Sequence, residues 1–143
     1  MAVTGTTTRL IDIRRYNSVS DFIKDIDAEI TRLKGELGEL LRRLENAKAK
    51  AEVLVKLESL LAGTGGKLGG TELNLGQAKA IINPTPKQEF DILVDVVRSL
   101  QNRIIALERA RKDLDPLVRI GDLDLTLEVI YENGVPSRIL VRM

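Results

Sequence analysis

Few side chains in this sequence can do chemistry beyond carrying a charge. Its 143 residues include 21 acidic and 22 basic side chains, but no cysteine and no histidine. Disulfides, thiolate nucleophiles, Cys/His zinc sites and histidine acid–base catalysis are therefore excluded. The net charge of +1 creates no chain-wide attraction to nucleic acid or to an anionic membrane. We expect no enzymatic activity, no cofactor and no metal site.

Two short motifs resemble ligand sites without meeting their requirements. The stretch from Gly63 to Leu68 lacks the Gly-x4-Gly-Lys-Ser/Thr spacing of a phosphate-binding loop, and it follows a predicted helix instead of a strand. An acidic cluster lacks the glycine and the closing glutamate of a calcium-binding loop. That cluster consists of Asp113, Asp115, Asp122 and Asp124. We interpret the first motif as a loop and the second as a helix end and a solvated strand edge.

A basic patch near the end of the second predicted helix is the candidate for nucleic-acid binding. It consists of Arg98, Arg103, Arg109, Arg111, Lys112 and Arg119. No aromatic side chains that would stack on bases are interleaved with it. These basic residues either bind nucleic acid or are neutralised by acidic residues of the first predicted helix. We favour the second interpretation.

Two heptad patterns predict long helices at residues 19–62 and 86–115. Their apolar seam, for helix pairing or oligomerisation, consists of Ile23, Ile26, Ile30, Leu33, Leu37, Leu40, Leu44, Leu54, Leu61, Phe90, Leu93, Val97, Leu100, Ile104, Leu107 and Leu114. Ser18 or Ser20 is expected to cap the first helix, and Thr85 the second. Arg111 interrupts the seam, where it either specifies register or extends its charged end into solvent.

The charge distribution predicts that the two helices pack antiparallel. Residues 21–39 carry six acidic against three basic side chains, and residues 42–58 carry five basic against three acidic. In the second helix, residues 87–95 are acidic on balance and residues 98–112 are basic. Antiparallel packing places opposite charges side by side, whereas parallel packing places like charges together.

The end of the chain predicts a β-hairpin at residues 122–143. Apolar residues alternate up to Tyr131, and Asn133-Gly134 is a turn signal. A strict two-residue turn sets Val129 opposite Arg138 and mixes the two faces. We therefore favour a three-residue loop at 132–134, which places the large apolar residues on one face. A third strand at residues 8–15 is expected beside this hairpin, because an isolated hairpin is only marginally stable.

The connection at residues 63–85 is either a loop or a small hairpin. In the hairpin, Gly76 occupies the first position of a type II′ turn. The alternative for residues 77–82 is one turn of helix.

Together these elements predict one elongated domain over residues 1–143. Its fold class is α+β, predominantly α, with a long antiparallel coiled-coil helical hairpin and a small antiparallel sheet made by the N-terminal strand and the C-terminal hairpin. Apolar residues off the seam widen the apolar stripe and favour a homo-oligomer, with a dimeric four-helix bundle as the simplest form. These residues are Leu41, Val55, Leu57, Leu60, Val94, Val96 and Ile105.

The predicted function is a non-enzymatic structural or adaptor protein that binds itself and another protein. Two helices around a short hairpin at 71–82 resemble prefoldin, a chaperone, although prefoldin subunits have no hairpin after the second helix. The resemblance implies an ATP-independent holdase as one alternative, and a nucleic-acid accessory protein is the other. With no long apolar run and no signal-like N-terminus, we expect a cytoplasmic location and no membrane partner. The scarcity of Cys, His, Trp and Gln also favours a thermophilic source.

Overall fold

The computed structural model describes residues 11–60, 70–120 and 125–143. The elements, in chain order, are β1 (Ile11–Tyr16), α1 (Val19–Leu60), β2 (Thr71–Asn74), β3 (Lys79–Ile82), α2 (Pro86–Asp113), α3 (Asp115–Ile120), β4 (Thr126–Glu132) and β5 (Val135–Arg142). The fold is α+β with antiparallel sheets, as the sequence predicts. None of the described helices combines the length and the apolar character that a membrane crossing requires.

The chain divides into two compact units. The first unit comprises Met1–Gly35 and Gln101–Met143, and the second unit comprises Glu36–Leu100. Both α1 and α2 contribute residues to each unit. The predicted strand at 8–15 corresponds to β1, and the predicted helix at 19–62 corresponds to α1, with 8–10, 61 and 62 outside the described residues.

A three-stranded antiparallel sheet in the order β1-β4-β5 forms the centre of the first unit. We call its covered face the inner face. There Leu125, Leu127, Val129 and Tyr131 are each at most 4% exposed. Phe22 of α1 is fully buried, which indicates that the start of this helix covers the sheet.

The start of α1 is fixed by a cap and by an aromatic contact. The Ser18 hydroxyl oxygen accepts a hydrogen bond from the backbone N–H of Asp21 at 3.0 Å, which confirms one of the two predicted caps. Ser18 thereby satisfies an N–H that has no partner inside the helix. The rings of Phe22 and Tyr16 lie 5.1 Å apart, so the helix start packs directly against β1.

The register of the β4–β5 hairpin differs from the predicted one. The turn has two residues, Asn133 and Gly134, both with positive φ (54° and 79°), so Glu132 pairs with Val135. A β-bulge then shifts the register, and Val129 pairs with Ile139. The predicted three-residue loop is therefore wrong. An extra residue inside a strand keeps the apolar residues on one face just as a longer loop does, so the apolar pattern alone does not distinguish the two.

The second unit contains a two-stranded sheet made by β2 and β3, where the sequence left a loop, a hairpin or a helical turn open. Asn74 pairs with Lys79 across a tight turn, and Gly76 has a φ of 87°. A positive φ at the first turn position is the conformation that a type II′ turn requires and that glycine adopts without strain. The hairpin is confirmed, and the helical turn is wrong.

Helix α2 begins with a reciprocal capping box. The backbone N–H of Gln88 donates to the Thr85 hydroxyl at 3.1 Å, and the backbone N–H of Thr85 donates to the Gln88 side-chain oxygen at 3.0 Å. The Gln88 amide nitrogen also donates to the backbone oxygen of Gly70 at 3.2 Å. The predicted cap is confirmed, and it also ties the start of β2 to α2.

The end of α2 lies two residues before the predicted one. The helix ends at Asp113, and the short helix α3 starts at Asp115 with Pro116 in its first turn. Proline needs no hydrogen-bonded N–H there, so it can open a new helix. Pro116 was predicted only to end the preceding helix, and α3 was not predicted.

Candidate functional site

Strand β1 presents a polar face to the covered side of the sheet. Asp12 and Arg14 lie opposite Tyr131 and Val129 of β4, and Tyr16 lies opposite Leu127. Opposing residues in an antiparallel pair share a face. The inner face is therefore apolar along β4 and polar along β1.

The polar residues of β1 form a hydrogen-bonded cluster with α1 and β4, which we call the tyrosine cluster: Asp12, Arg14, Tyr16, Asp25 and Tyr131. The Tyr16 hydroxyl donates to Asp25 Oδ2 at 2.5 Å and lies 2.6 Å from the Tyr131 hydroxyl. Because the Tyr16 proton points to Asp25, the Tyr131 hydroxyl donates to Tyr16. The cluster therefore links three elements through two phenols and one carboxylate.

Arg14 adds positive charge to the same cluster. Its Nε donates to Asp12 at 2.9 Å, and a terminal guanidinium nitrogen lies 3.5 Å from Asp25. Its guanidinium carbon is 4.6 Å from the centre of the Tyr131 ring, within cation–π range. One arginine thus contacts two carboxylates and covers an aromatic face.

The environment keeps both phenols protonated. Burial raises the pKa of Tyr16, and the hydrogen bond that it donates to Asp25 raises it further. Burial also raises the pKa of Tyr131. For Arg14, burial lowers the pKa, but hydrogen bonds with Asp12 and Tyr16 outweigh it, so the net pKa lies above its usual value. A phenol with a raised pKa is a poor base and a poor nucleophile at neutral pH, so the arrangement is suited to holding β1 against α1.

An open depression of about 700 Å³ lies beside the tyrosine cluster. Its lining consists of Arg14, Arg15, Tyr16, Asp21, Lys24, Asp25 and Ala28. Arg14 and Asp25 in this lining already bond to each other or to Tyr16. The depression follows β1 and the first turns of α1, and charged side chains of both signs border it.

The opposite face of the same sheet, which we call the outer face, carries exposed apolar side chains among charged ones, which include the ion pair of Arg15 with Glu128. Ile11 and Ile13 of β1 are 59% and 60% exposed, and Leu140 of β5 is 42% exposed. Ile130 of β4 lies between them, opposite both Ile13 and Arg138. Exposed apolar side chains next to one another on one surface mark an interaction site more often than scattered ones do.

The predicted seam residues are buried or half-buried in each unit where they are described. Ile23, Ile26, Ile30, Leu33, Ile104, Leu107 and Leu114 belong to the first unit; Leu37, Leu40, Leu44, Leu54, Phe90, Leu93, Val97 and Leu100 belong to the second. Leu61 lies outside the described residues. Of the apolar residues off the seam, Leu41, Val55, Leu57, Val96 and Ile105 are exposed and Val94 is half-buried. The apolar stripe on the helices is therefore wider than the part of it that is buried within each unit.

Ion pairs between α1 and α2 follow the predicted charge pattern in each unit. In the first unit, Arg111 contacts Asp27 at 3.0 Å, and Lys34 contacts Glu108 at 3.6 Å. Residue numbers rise along one helix as they fall along the other, so these segments run antiparallel. In the second unit Arg43 contacts Glu89 at 3.3 Å.

The predicted basic patch is divided by these contacts. Arg111 turns to Asp27, and Arg98 lies 3.9 Å from Asp95 on its own helix. Arg103 is half-buried. Arg109 and Lys112 are exposed one turn apart, and Arg119 is exposed on α3. Of the six residues, Arg98 belongs to the second unit and the other five belong to the first, where Arg111 is part of the helix pair.

The described residues contain no group of three or more acidic side chains that could hold a metal ion. Asp113 and Asp115 of the predicted acidic cluster are exposed, whereas Asp122 and Asp124 lie outside the described residues. The glycine-rich stretch at 63–69 lies outside them as well.

Neither the tyrosine cluster nor the exposed isoleucines were predicted from the sequence. A signal for both is present in β1, where Asp12, Arg14 and Tyr16 alternate with Ile11 and Ile13. The two sets lie on opposite faces of the strand, because side chains along a strand alternate with period two. Which set turns inward depends on the pairing with β4, which is far away in sequence.

Comparisons of the chain with protein-family models, with curated proteins and with solved structures found no match.

Proposed function

We propose that this protein is a non-enzymatic structural or adaptor protein that acts through self-association and protein–protein interaction. The observation that carries the proposal is the group of exposed isoleucines on the outer face of the three-stranded sheet. Ile11 and Ile13 are more than half exposed there. Exposed apolar side chains of this kind leave a surface that a protein partner can bury.

The helices support the same proposal. Val55 and Leu57 of α1 and Val96 of α2 lie off the seam and are 57%, 46% and 42% exposed. In the proposed assembly, the seam pairs α1 with α2 as an antiparallel coiled-coil hairpin, and the off-seam residues pack against further helices. A dimeric four-helix bundle is the simplest arrangement that supplies them.

The experiment that tests self-association is sedimentation equilibrium over a wide range of protein concentrations, at low and at high salt. We expect a dimer or larger oligomer that persists at high salt, because the surface is chiefly apolar. A monomer at every concentration would contradict self-association. The matched variants Val55→Lys and Lys56→Val exchange an apolar and a charged residue on neighbouring exposed positions, and weaker association is expected only for the first.

A second candidate function is an ATP-independent holdase, and the β2–β3 hairpin favours it. Leu73 lies opposite Ala80, and Thr71 lies opposite Ile82, so Leu73, Ala80 and Ile82 share one face. Leu73, Leu75 and Ile82 are 45%, 65% and 48% exposed. Such a surface can bind apolar segments of unfolded clients.

The holdase candidate is tested by light scattering of a heat-aggregating client without ATP. Suppression that is lost in Leu75→Lys, but kept in the neighbouring polar variant Asn74→Lys, would support it. Equal aggregation with and without the protein would eliminate it.

A further inference from the structure

We propose that two copies of this chain associate through the free edge of β1, as an antiparallel pair of β1 strands centred on Ile13. The proposal rests on the proposed self-association and specifies its geometry. Among the described residues, strand β1 lies at the edge of the sheet and pairs on one side only, with β4. The free backbone groups of an edge strand readily pair with another strand.

Charge selects one register for this pairing. In a symmetric antiparallel pair, the residue numbers of every two opposing residues add up to the same value. This value must be even for the outer faces of the two sheets to form one continuous surface. A centre at residue 12 places Asp12 opposite its own copy, and a centre at residue 14 does the same for Arg14. A centre at Ile13 places Asp12 opposite Arg14 of the second copy, twice by symmetry. Only this register pairs opposite charges.

On the outer face, the same register places the two Ile13 residues opposite each other and Ile11 opposite Arg15 of the second copy. Ile13 lies opposite Ile130 within one chain and opposite Ile13 of the second copy across the new interface. Four isoleucines then form one row across the joined sheet. Ile13, at 60% exposure, gains an apolar neighbour on its open side, and cross-strand pairs of β-branched residues are favourable in sheets.

In the part of the chain that the structure describes, an open surface borders β1. The open depression beside the tyrosine cluster borders Arg14 and Arg15 on β1 and Lys24 on α1. Side chains of Asp12 and Arg14 are 29% and 52% exposed, so both are accessible to a partner. Arg14 already bonds Asp12 of its own strand, and the symmetric pair places each Asp12 between two guanidinium groups.

Single-cysteine cross-linking tests the register, because the chain contains no cysteine of its own. Under a mild copper–phenanthroline oxidant, Ile13→Cys is expected to form a disulfide-linked dimer, since the two thiols lie directly opposite each other. The matched controls are Ile11→Cys, whose copies are four residues apart along the strand (roughly 13 Å), and Leu140→Cys on the other edge. Both controls are exposed on the outer face and are expected to stay largely unlinked.

The charge pairing is tested separately by Asp12→Arg, which places like charges opposite each other at two points. We expect the dissociation constant of the dimer to rise about tenfold or more. Glu72→Arg makes the same change in charge at an exposed residue of the second unit and is expected to leave the constant unchanged. Circular dichroism of each variant verifies that it is folded.

The outcomes separate this proposal from the proposed function. Preferential linking of Ile13→Cys together with weakened association of Asp12→Arg supports the β1 pairing. An oligomer in which Ile11→Cys or Leu140→Cys links as fast as Ile13→Cys overturns the pairing but retains self-association, through stacked outer faces or through helices. A wild-type chain that is monomeric throughout overturns both.

Discussion

The tyrosine cluster predicts that this protein resists ionisation of its tyrosines at alkaline pH. The chain has two tyrosines and no tryptophan, and both tyrosines, Tyr16 and Tyr131, belong to the cluster. The near-ultraviolet absorbance of tyrosinate therefore reports on this site alone. Burial raises the pKa of both phenols, so their ionisation is delayed as long as the fold persists.

The expected magnitude follows from the difference between the folded and the unfolded chain. At pH 11 an unperturbed tyrosine, with a pKa of about 10, is about 90% ionised. At pH 11, while the far-ultraviolet circular dichroism remains native, we expect well under half of the tyrosinate absorbance that two unperturbed tyrosines would give. Complete ionisation should then appear together with unfolding, in one transition.

The same shifts determine how stability depends on pH. Below pH 10 both states hold the phenolic protons, and the stabilisation is complete. Above pH 10 the unfolded chain releases them and the folded chain does not, so the free energy of unfolding falls by up to about 1.4 kcal/mol per pH unit for each tyrosine. Urea titrations at several pH values measure this slope. In Tyr16→Phe one phenol is removed, and we expect the tyrosine contribution to the slope to be about half.

The reasoning is refuted by a reversible absorbance titration with a midpoint near pH 10 in the native protein. That result would mean that both phenols are freely hydrated. Protein in strong denaturant is the control, because its tyrosines must titrate normally.

Three further predictions concern stability, measured as the free energy of unfolding in urea. Phe22→Ala is expected to lower it by about 3–5 kcal/mol, because Phe22 is fully buried against the sheet; a loss below about 1 kcal/mol would contradict that packing. Gly35→Ala is expected to raise the free energy of unfolding by up to about 1 kcal/mol, since an added Cβ meets nothing within 4 Å. Gly76→Ala should lower it by about 1–2 kcal/mol, because Gly76 has a φ of 87°. Arg111→Met should change it by less than about 1 kcal/mol, because the side chains of Arg111 and Asp27 are 32% and 53% exposed, and a large loss would show that this pair fixes the helix register.

Much of the fold is predictable from the sequence because the signals involved are local. Heptad spacing places Ile30 and Leu107 on buried helix faces, and both are buried. The Thr85 cap and the Gly76 turn depend on a few neighbouring residues. Within each unit, charge also predicted which helix segments lie together, as the contact between Arg111 and Asp27 confirms.

The candidate sites depend on contacts between distant parts of the chain, and these were not predictable in the same way. Tyr16 and Tyr131 are 115 positions apart, and their contact requires β1 to pair with β4 in one register. A one-residue slip of β1 would turn Ile13 inward and Arg14 outward. Local alternation is compatible with either arrangement. The apolar residues of β4 do not determine which face of β1 turns inward, because β1 has one polar and one apolar face and either could lie beside them.

The bulge in the β4–β5 hairpin has a consequence for changes in chain length. Ser137 is the extra residue between the pairs Tyr131 with Pro136 and Ile130 with Arg138, and its hydroxyl donates to the backbone oxygen of Ile130 at 3.1 Å. Deleting Ser137 removes the bulge but leaves each remaining residue of β5 on its present face. Deleting Leu140 instead reverses the faces of the residues that follow. We therefore expect a one-residue deletion in this hairpin to cost less stability at Ser137 than at Leu140.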